Sequence, residues 1–284
     1  VTSRTGLIGH PLGHSISPAI FDAAFKAAGI DATYEAWDTA PEVLEGRVNS
    51  LRGDDFLGAN VTIPHKQAVV PYLDGMSDAA TKTGAVNTIV HSDGTLVGHN
   101  TDVGGFARAL GDAGVAVKGG VAVILGSGGA ARAVGLALVE AGAATIFIVG
   151  RQPRKVEGVA LALKPLTPSG TTISWAYWGD GSYRRALHEA ALIVNCTPVG
   201  TAGSDTAGQS PVDPALIEKQ AAVFDLVYNP AETPLLAAAK AGGAKAVGGA
   251  GMLVYQAADA FKLWTGQDAD IAAMKAAAAK ALGT

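Results

Sequence analysis

Short apolar runs alternate with helical periodicity over the first hundred residues. Thr5 to Gly9 predicts a strand, Pro18 to Ala28 carries apolar residues at helical spacing, and Ala32 to Trp37 returns to a strand pattern. This is a β-α-β opening. Gly58 to Ile63 predicts a further strand stopped by Pro64, and Ala85 to Val90 continues the series. Beyond Gly120 the alternation becomes more regular. The β-branched run Val121 to Leu125 ends in Gly126-Ser127-Gly128-Gly129, and Ala130 to Ala141 follows with strong helix formers and an apolar stripe. Strands are expected at Thr145 to Val149, Leu192 to Cys196 and Ala222 to Tyr228, so this half reads as a parallel sheet wound with helices. Helices at Gly251 to Trp264 and Asp268 to Leu282 close the pattern. The fold class is α/β.

Composition narrows the picture. The 284 residues suffice for one large or two ordinary domains, and 49% hydrophobic with 16% charged residues is the profile of a globular chain. A net charge of −4 without a block of like charges gives a phosphate backbone or an anionic membrane little to hold, so neither nucleic acid nor membrane is an expected partner. The longest apolar runs fall far short of the ~20 residues that span a bilayer. No basic segment followed by an apolar one opens the chain, so no secretory signal is expected, and an initiator Met is expected ahead of Val1. The single cysteine, Cys196, excludes an intramolecular disulfide and suggests a reducing cytoplasm. Its neighbours make it a small buried filler rather than a nucleophile.

The strand, Gly-rich turn and helix at 121–141 stand in the order of a dinucleotide site, where pyrophosphate rests on a helix N-terminus and glycines let the backbone approach. Gly126, Ser127, Gly128, Gly129 and Ala130 meet that need as a variant of GxGxxG. A plain tight turn is the competing reading; the flanking strand and helix favour the nucleotide. The next strand selects the cofactor. An NAD site wants an acid at its end for the ribose 2′-OH, whereas here it runs into Gly150-Arg151-Gln152-Pro153-Arg154-Lys155. Arg151, Arg154 and Lys155 suit a 2′-phosphate and hence NADP, against the alternative of a solvated loop.

Polar residues crowd the first hundred positions at turns after strand-like segments: Ser15, Ser17, Asn60, Thr62, Lys66, Asn87, Thr88, Asn100, Thr101 and Asp102. Hydroxyls, amides, one ammonium and one carboxylate suit a small polyhydroxylated acid. His10 and His14 are four apart, but Pro11 and Gly13 break any helix between them, so no metal site is expected. No G-x-S-x-G elbow of a serine hydrolase occurs.

These strings resemble the shikimate dehydrogenase family along nearly the whole chain. Gly9-His10-Pro11-Leu12-Gly13-His14-Ser15-Ile16-Ser17-Pro18 is similar to its N-terminal substrate motif, and Gly58-Ala59-Asn60-Val61-Thr62-Ile63-Pro64-His65-Lys66 to its catalytic-lysine motif. Gly84-Ala85-Val86-Asn87-Thr88, Gly98-His99-Asn100-Thr101-Asp102, Asn195-Cys196-Thr197-Pro198-Val199-Gly200, Asp225-Leu226-Val227-Tyr228-Asn229-Pro230 and Gly251-Met252-Leu253-Val254-Tyr255-Gln256 follow in order.

The resemblance implies Lys66 and Asp102 as the catalytic pair. It implies Ser15 and Ser17 on the substrate carboxylate, Thr62, Asn87 and Gln256 beside that pair on the ring hydroxyls, and Tyr228 near both carboxylate and nicotinamide. Thr197, Gly249 and Met252 complete the cofactor set. Oxidising an alcohol independently requires a group that takes its proton as hydride leaves, and Lys66 beside Asp102 can do so, a surface ion pair being the competing reading. The implied domains are a substrate-binding catalytic domain of residues 1–103 plus 251–284, and a Rossmann-like NADP-binding domain of residues 104–250. The family usually has Asn-Arg-Thr where this chain has Gly150-Arg151-Gln152, which removes an amide and a hydroxyl from the cofactor ribose-phosphate and predicts weaker NADP binding. His10 and His65 also depart from the common pattern and receive no role. A quinate or aminoshikimate dehydrogenase would share every motif, and a non-catalytic NADP-binding regulator would share the fold; Ser15 and Ser17 resemble the shikimate-selective members. A homodimer is left open.

Overall fold

A computed structural model describes residues 2–13 and 15–284. His14, four residues after His10, lies outside the described residues. The chain divides into two compact units, one of residues Val1–Gly105 with Val254–Thr284, the other Phe106–Leu253.

The first unit holds the strands β1 (Ser3–Gly9), β2 (Ala32–Asp38), β3 (Gly58–Val61), β4 (Gly75–Met76), β5 (Thr88–Ser92) and β6 (Thr95–His99), in the sheet order β2-β1-β3-β5-β6-β4. β1 runs parallel to β2 and β3, β5 is antiparallel to both β3 and β6, and β4 is parallel to β6. The opening β-α-β pattern is thus present, but the sheet is mixed, because the tight turn between β5 and β6 reverses the chain. Helix Ser17–Ala28 buries Ile20, Phe21, Ala24 and Phe25 and stops at Gly29, whose φ of 66° permits the left-handed cap in which Ile30 N–H reaches Phe25 O. Helix Ile271–Leu282 packs on it, so the C-terminal helices return to the first unit. Phe21 stacks on Tyr34 at 4.3 Å and tilts against Trp264 at 5.2 Å, while Phe25 meets Phe261 at 5.4 Å. A second cluster centres on Ile8, Trp37, Val61, Ile89 and Leu96.

The second unit holds β7 (Val121–Leu125), β8 (Thr145–Gly150), β9 (Thr172–Tyr177), β10 (Leu192–Asn195), β11 (Ala222–Asp225) and β12 (Lys245–Gly248). All neighbours are parallel, in the order β12-β11-β10-β7-β8-β9. This is the doubly wound Rossmann order, in which the chain reverses its direction of travel at β7, with β10 on one side and β8 on the other. Val123, Leu125, Val149, Ile193 and Val223 form its core with the apolar side chains of flanking helices.

Several boundaries differ from those the sequence predicts. Ala85 and Val86 are not strand: Ala85 O accepts from Thr83 Oγ1 and Asn100 Nδ2, and Val86 N–H donates to Lys66 O, so β5 starts only at Thr88. β11 ends at Asp225, whose carboxylate turns back to accept the Val227 N–H at 3.0 Å. The last helix begins at Ile271, capped by Asp270, which accepts from Ala273 N–H at 2.9 Å, while Asp268 pairs with Lys262. The apolar pattern does not predict β4, β6, β9 or β12.

Candidate functional site

Lys66 lies in the loop after β3, and three backbone bonds fasten that loop to its surroundings. Thr62 N–H donates to Ile8 O at 2.8 Å, His10 N–H to Ile63 O at 3.0 Å, and Val86 N–H to Lys66 O at 2.7 Å. Gly9 allows the close approach, since a Cβ there would lie 2.4 Å from Thr62 Cγ2. His65, given no role by the sequence, is buried and donates through Nε2 to Thr39 O at 2.6 Å, because a carbonyl can only accept.

The Lys66 ammonium meets Asp102 Oδ2 at 2.5 Å, with side-chain exposures of 15% and 6%. Such burial separates this pair from an ordinary surface ion pair. Asp102 opens the helix Asp102–Asp112, and its own N–H donates to Asn100 Oδ1. Asp102 Oδ1 accepts from Asn87 Nδ2 at 2.9 Å, an amide that also lies 2.9 Å from Thr101 Oγ1 and 3.3 Å from Gln256 Oε1. Thr101 N–H donates to Asn87 Oδ1 at 2.8 Å, which leaves only one orientation for the amide. Behind it, Asn60 Nδ2 reaches Asn87 O and Thr88 Oγ1, and Tyr34 OH donates to Asn60 Oδ1 at 2.9 Å. Gln256 comes close because Gly105 has no side chain: a Cβ there would lie 2.9 Å from Gln256 Cβ.

Lys66, Asn87, Asp102 and Gln256 therefore form one hydrogen-bonded group, with Thr62 at the edge of the same loop. Ser15 and Ser17 form a separate pair after β1, in which Ser15 Oγ accepts the Ser17 N–H at 3.3 Å. The supporting roles of Tyr34 and Thr83 are not legible in sequence, since each contributes one polar atom from an otherwise ordinary segment. The order imposed on the group has a chemical consequence: an ammonium proton is aimed by a carboxylate whose second oxygen is already engaged.

In the second unit, β7 runs into Gly126, where a φ of 119° and the 3.1 Å at which a Cβ would lie from Cys196 O both suit glycine. Gly128 has open space where a Cβ would lie, and helix Gly129–Glu140 starts without a side-chain cap, which leaves first-turn N–H groups to donate to an anion. Arg151, Arg154 and Lys155 are exposed together after β8. At Gly150 the backbone runs close to two side chains, since a Cβ there would lie 2.8 Å from Val156 Cγ2 and 3.3 Å from Ser127 Oγ. Thr197 follows β10, Tyr228 follows β11, and Gly249 and Met252 are buried near the start of helix Ala250–Thr265. The glycine turn with its uncapped helix start, and the exposed cations after β8, have the chemistry that a dinucleotide phosphate requires. Cys196 is half-buried rather than the buried filler expected, because the chain has already left the core at the end of β10.

Among the described residues, no group of three or more His, Cys, Asp or Glu is placed to hold a metal ion. His10 instead pairs with Asp38 at 2.8 Å. No helix among the described residues is long and apolar enough to cross a membrane.

The chain matches the family model for the shikimate dehydrogenase substrate binding domain over residues 7–89, and that for the shikimate 5′-dehydrogenase C-terminal domain over residues 249–279. It is 45% identical over 278 residues to the shikimate dehydrogenase (NADP(+)) of Symbiobacterium thermophilum, covering 98% of this chain and 94% of that protein. The protein of the same name from Moorella thermoacetica is 42% identical over 283 residues, covering 99% and 94% respectively. The shikimate 5-dehydrogenase of Thermus thermophilus, solved with NADP(H) and shikimate, is similar with a TM-score of 0.87 at 39% identity, covering 99% of this chain and 100% of that one.

Proposed function

Because the chain belongs to the shikimate dehydrogenase family, we propose that it is an NADP-dependent oxidoreductase acting on a CH–OH group, reversibly reducing 3-dehydroshikimate to shikimate in aromatic amino-acid (chorismate) biosynthesis. The observation that carries this reading is the buried Lys66–Asp102 pair, held by Asn87 at the ends of strands in the first unit.

Lys66 Nζ holds the proton that the substrate oxygen gains in reduction and returns in oxidation, and Asp102 Oδ2 fixes the direction in which it is offered. The same ammonium stabilises the charge that develops on that oxygen. Asn87, Gln256 and Thr62 bind ring hydroxyls, and Ser15 with Ser17 holds the substrate carboxylate. Tyr228 is assigned to the substrate carboxylate and the nicotinamide. NADP, when bound, supplies the nicotinamide that exchanges hydride with the substrate. The turn Gly126, Ser127, Gly128, Gly129 and Ala130 receives its pyrophosphate, Arg151, Arg154 and Lys155 its 2′-phosphate, and Thr197, Gly249 and Met252 the rest of the nucleotide. The first unit serves as substrate domain and the second as NADP domain. We assign the enzyme to the cytoplasm.

The test is shikimate-dependent reduction of NADP+ by the purified chain, run beside quinate, aminoshikimate and NAD+. Shikimate with NADP+ is expected to lead; a pocket rejects an added hydroxyl by only about 10²-fold, so quinate keeps residual activity. Absence of cofactor reduction refutes the enzyme reading, and a quinate kcat/KM at or above that of shikimate moves the chain to the quinate branch.

A further inference from the structure

Asp225 closes β11 with no solvent exposure, and the chemistry above makes no use of it. Its Oδ1 accepts from Asn195 Nδ2 at 2.8 Å and from Val227 N–H at 3.0 Å, and its Oδ2 accepts from Thr233 Oγ1 at 2.6 Å. All three donors are neutral. Burial pushes this carboxyl above the usual carboxylate range, against the three hydrogen bonds, which pull the other way. A fully buried carboxyl held by neutral donors is costly where an apolar side chain would fill the same volume. What a polar side chain accomplishes at this position, and an apolar one would not, is the capture of those three donors.

The partners supply it. Asn195, at the end of β10, is in register with Asp225 and equally buried. Asp225 holds the Asn195 amide by Nδ2, which turns Asn195 Oδ1 toward the next loop, where it accepts both Thr197 N–H at 2.9 Å and Thr197 Oγ1 at 2.6 Å. Thr197 Oγ1 in turn accepts the Val199 N–H at 3.3 Å. On its other side, Asp225 captures the Val227 N–H one residue before Tyr228, and so sets where the chain leaves β11. The third partner, Thr233, caps helix Pro234–Ala241 through Leu236 N–H. One carboxyl thus organises both loops at the carboxyl ends of two adjacent strands, the location at which a doubly wound sheet takes its ligands.

We propose that Asp225 is a positioning residue that sets, through Asn195, the conformation of the loop bearing Thr197, which is assigned to the cofactor, and, through the Val227 N–H, that of the loop bearing Tyr228, which is assigned to the substrate. This rests on the roles given to Thr197 and Tyr228 above. Asn195 is the relay of the first arm only, so the two arms separate by mutation.

The experiment first establishes shikimate-dependent NADP+ reduction by the parent enzyme; failure there refutes the proposed function and is distinct from any result on the variants. NADP+ is then titrated calorimetrically without substrate, and KM values are measured, for Asn195→Leu, Asp225→Ala and Asp225→Asn. Loss of one hydrogen bond between neutral groups corresponds to about twofold to tenfold in affinity, and Asn195 Oδ1 accepts two from Thr197. Asn195→Leu is expected to weaken NADP+ binding by about tenfold or more while KM for shikimate stays within about twofold. Asp225→Ala is expected to raise both, and Asp225→Asn, which keeps an oxygen at Oδ1, to restore both to near the parent. If Asp225→Ala fails to fold, the other two variants decide. Parental NADP+ affinity in Asn195→Leu, or equal losses in folded Asp225→Asn and Asp225→Ala, overturns the proposal.

Discussion

Removing the Lys66 side chain separates catalysis from binding. At 2.5 Å the Lys66–Asp102 pair has about 7 kcal/mol of gross attraction at an effective dielectric of about 20, most of it offset by taking two charges out of water. Lys66→Ala leaves Asp102, whose side chain is 6% exposed, with Asn87 as its remaining side-chain donor at 2.9 Å, so a stability loss of about 1 to 3 kcal/mol is expected. The loss in turnover is larger, since proton transfer by a positioned group contributes roughly 10²- to 10⁴-fold. Asp102→Asn does comparable harm for a structural reason. Its amide must turn NH2 either to the Lys66 ammonium or to the Asn87 amide, and each is a donor. Steady-state rates of shikimate oxidation, with NADP+ affinity measured separately, give the answer. Lys66→Ala should lower kcat by that order with NADP+ binding nearly unchanged, and the double variant should be scarcely worse than the worse single one. Normal turnover in Lys66→Ala, or fully multiplicative losses in the double variant, refutes the reasoning.

Arg151→Ala should weaken NADP binding by about tenfold to a hundredfold and leave NAD use little changed, as kcat/KM for the two cofactors will show; equal values in the parent enzyme would remove the basis for the 2′-phosphate assignment. Gly58→Ala should destabilise the fold by about 3 kcal/mol or more in urea unfolding, because φ is 149° and the added Cβ would lie 2.0 Å from Ile89 O. Burial lowers the pKa of His99, so the unfolded chain takes up the proton first as the pH falls below about 6.5. The neutral imidazole's contribution to stability is therefore complete above that pH and is lost as the pH falls through the unfolded value toward the folded one. His99→Gln should flatten this part of the dependence of the thermal midpoint on pH, and an unchanged profile would show that other groups carry it.

What the sequence determined by itself is what short-range physics dictates. The β-branched runs of β7, β8 and β10 and the helix Gly129–Glu140 are legible because apolar periodicity and propensity act within a few residues. The glycine turn and the cations at 151–155 are legible for the same reason, being contiguous. Lys66 and Asp102 were legible as polar residues at turns, but as a pair only through the family strings, since nothing local says that they touch. Tertiary structure decided that they do, and it decided the rest of the group. Asn87 and Gln256 meet across 169 positions, and Trp264 Nε1 finds Ile89 O across 175. The two-residue β4 and the exposed edge strand β9 exist through their ladders to neighbours, which propensity alone does not reveal. Asp225 is the clearest case. It stands in the sequence as one acid after an apolar run, and it ends β11 early because its carboxylate, buried beside Asn195 and Thr233, must find its donors within the folded interior.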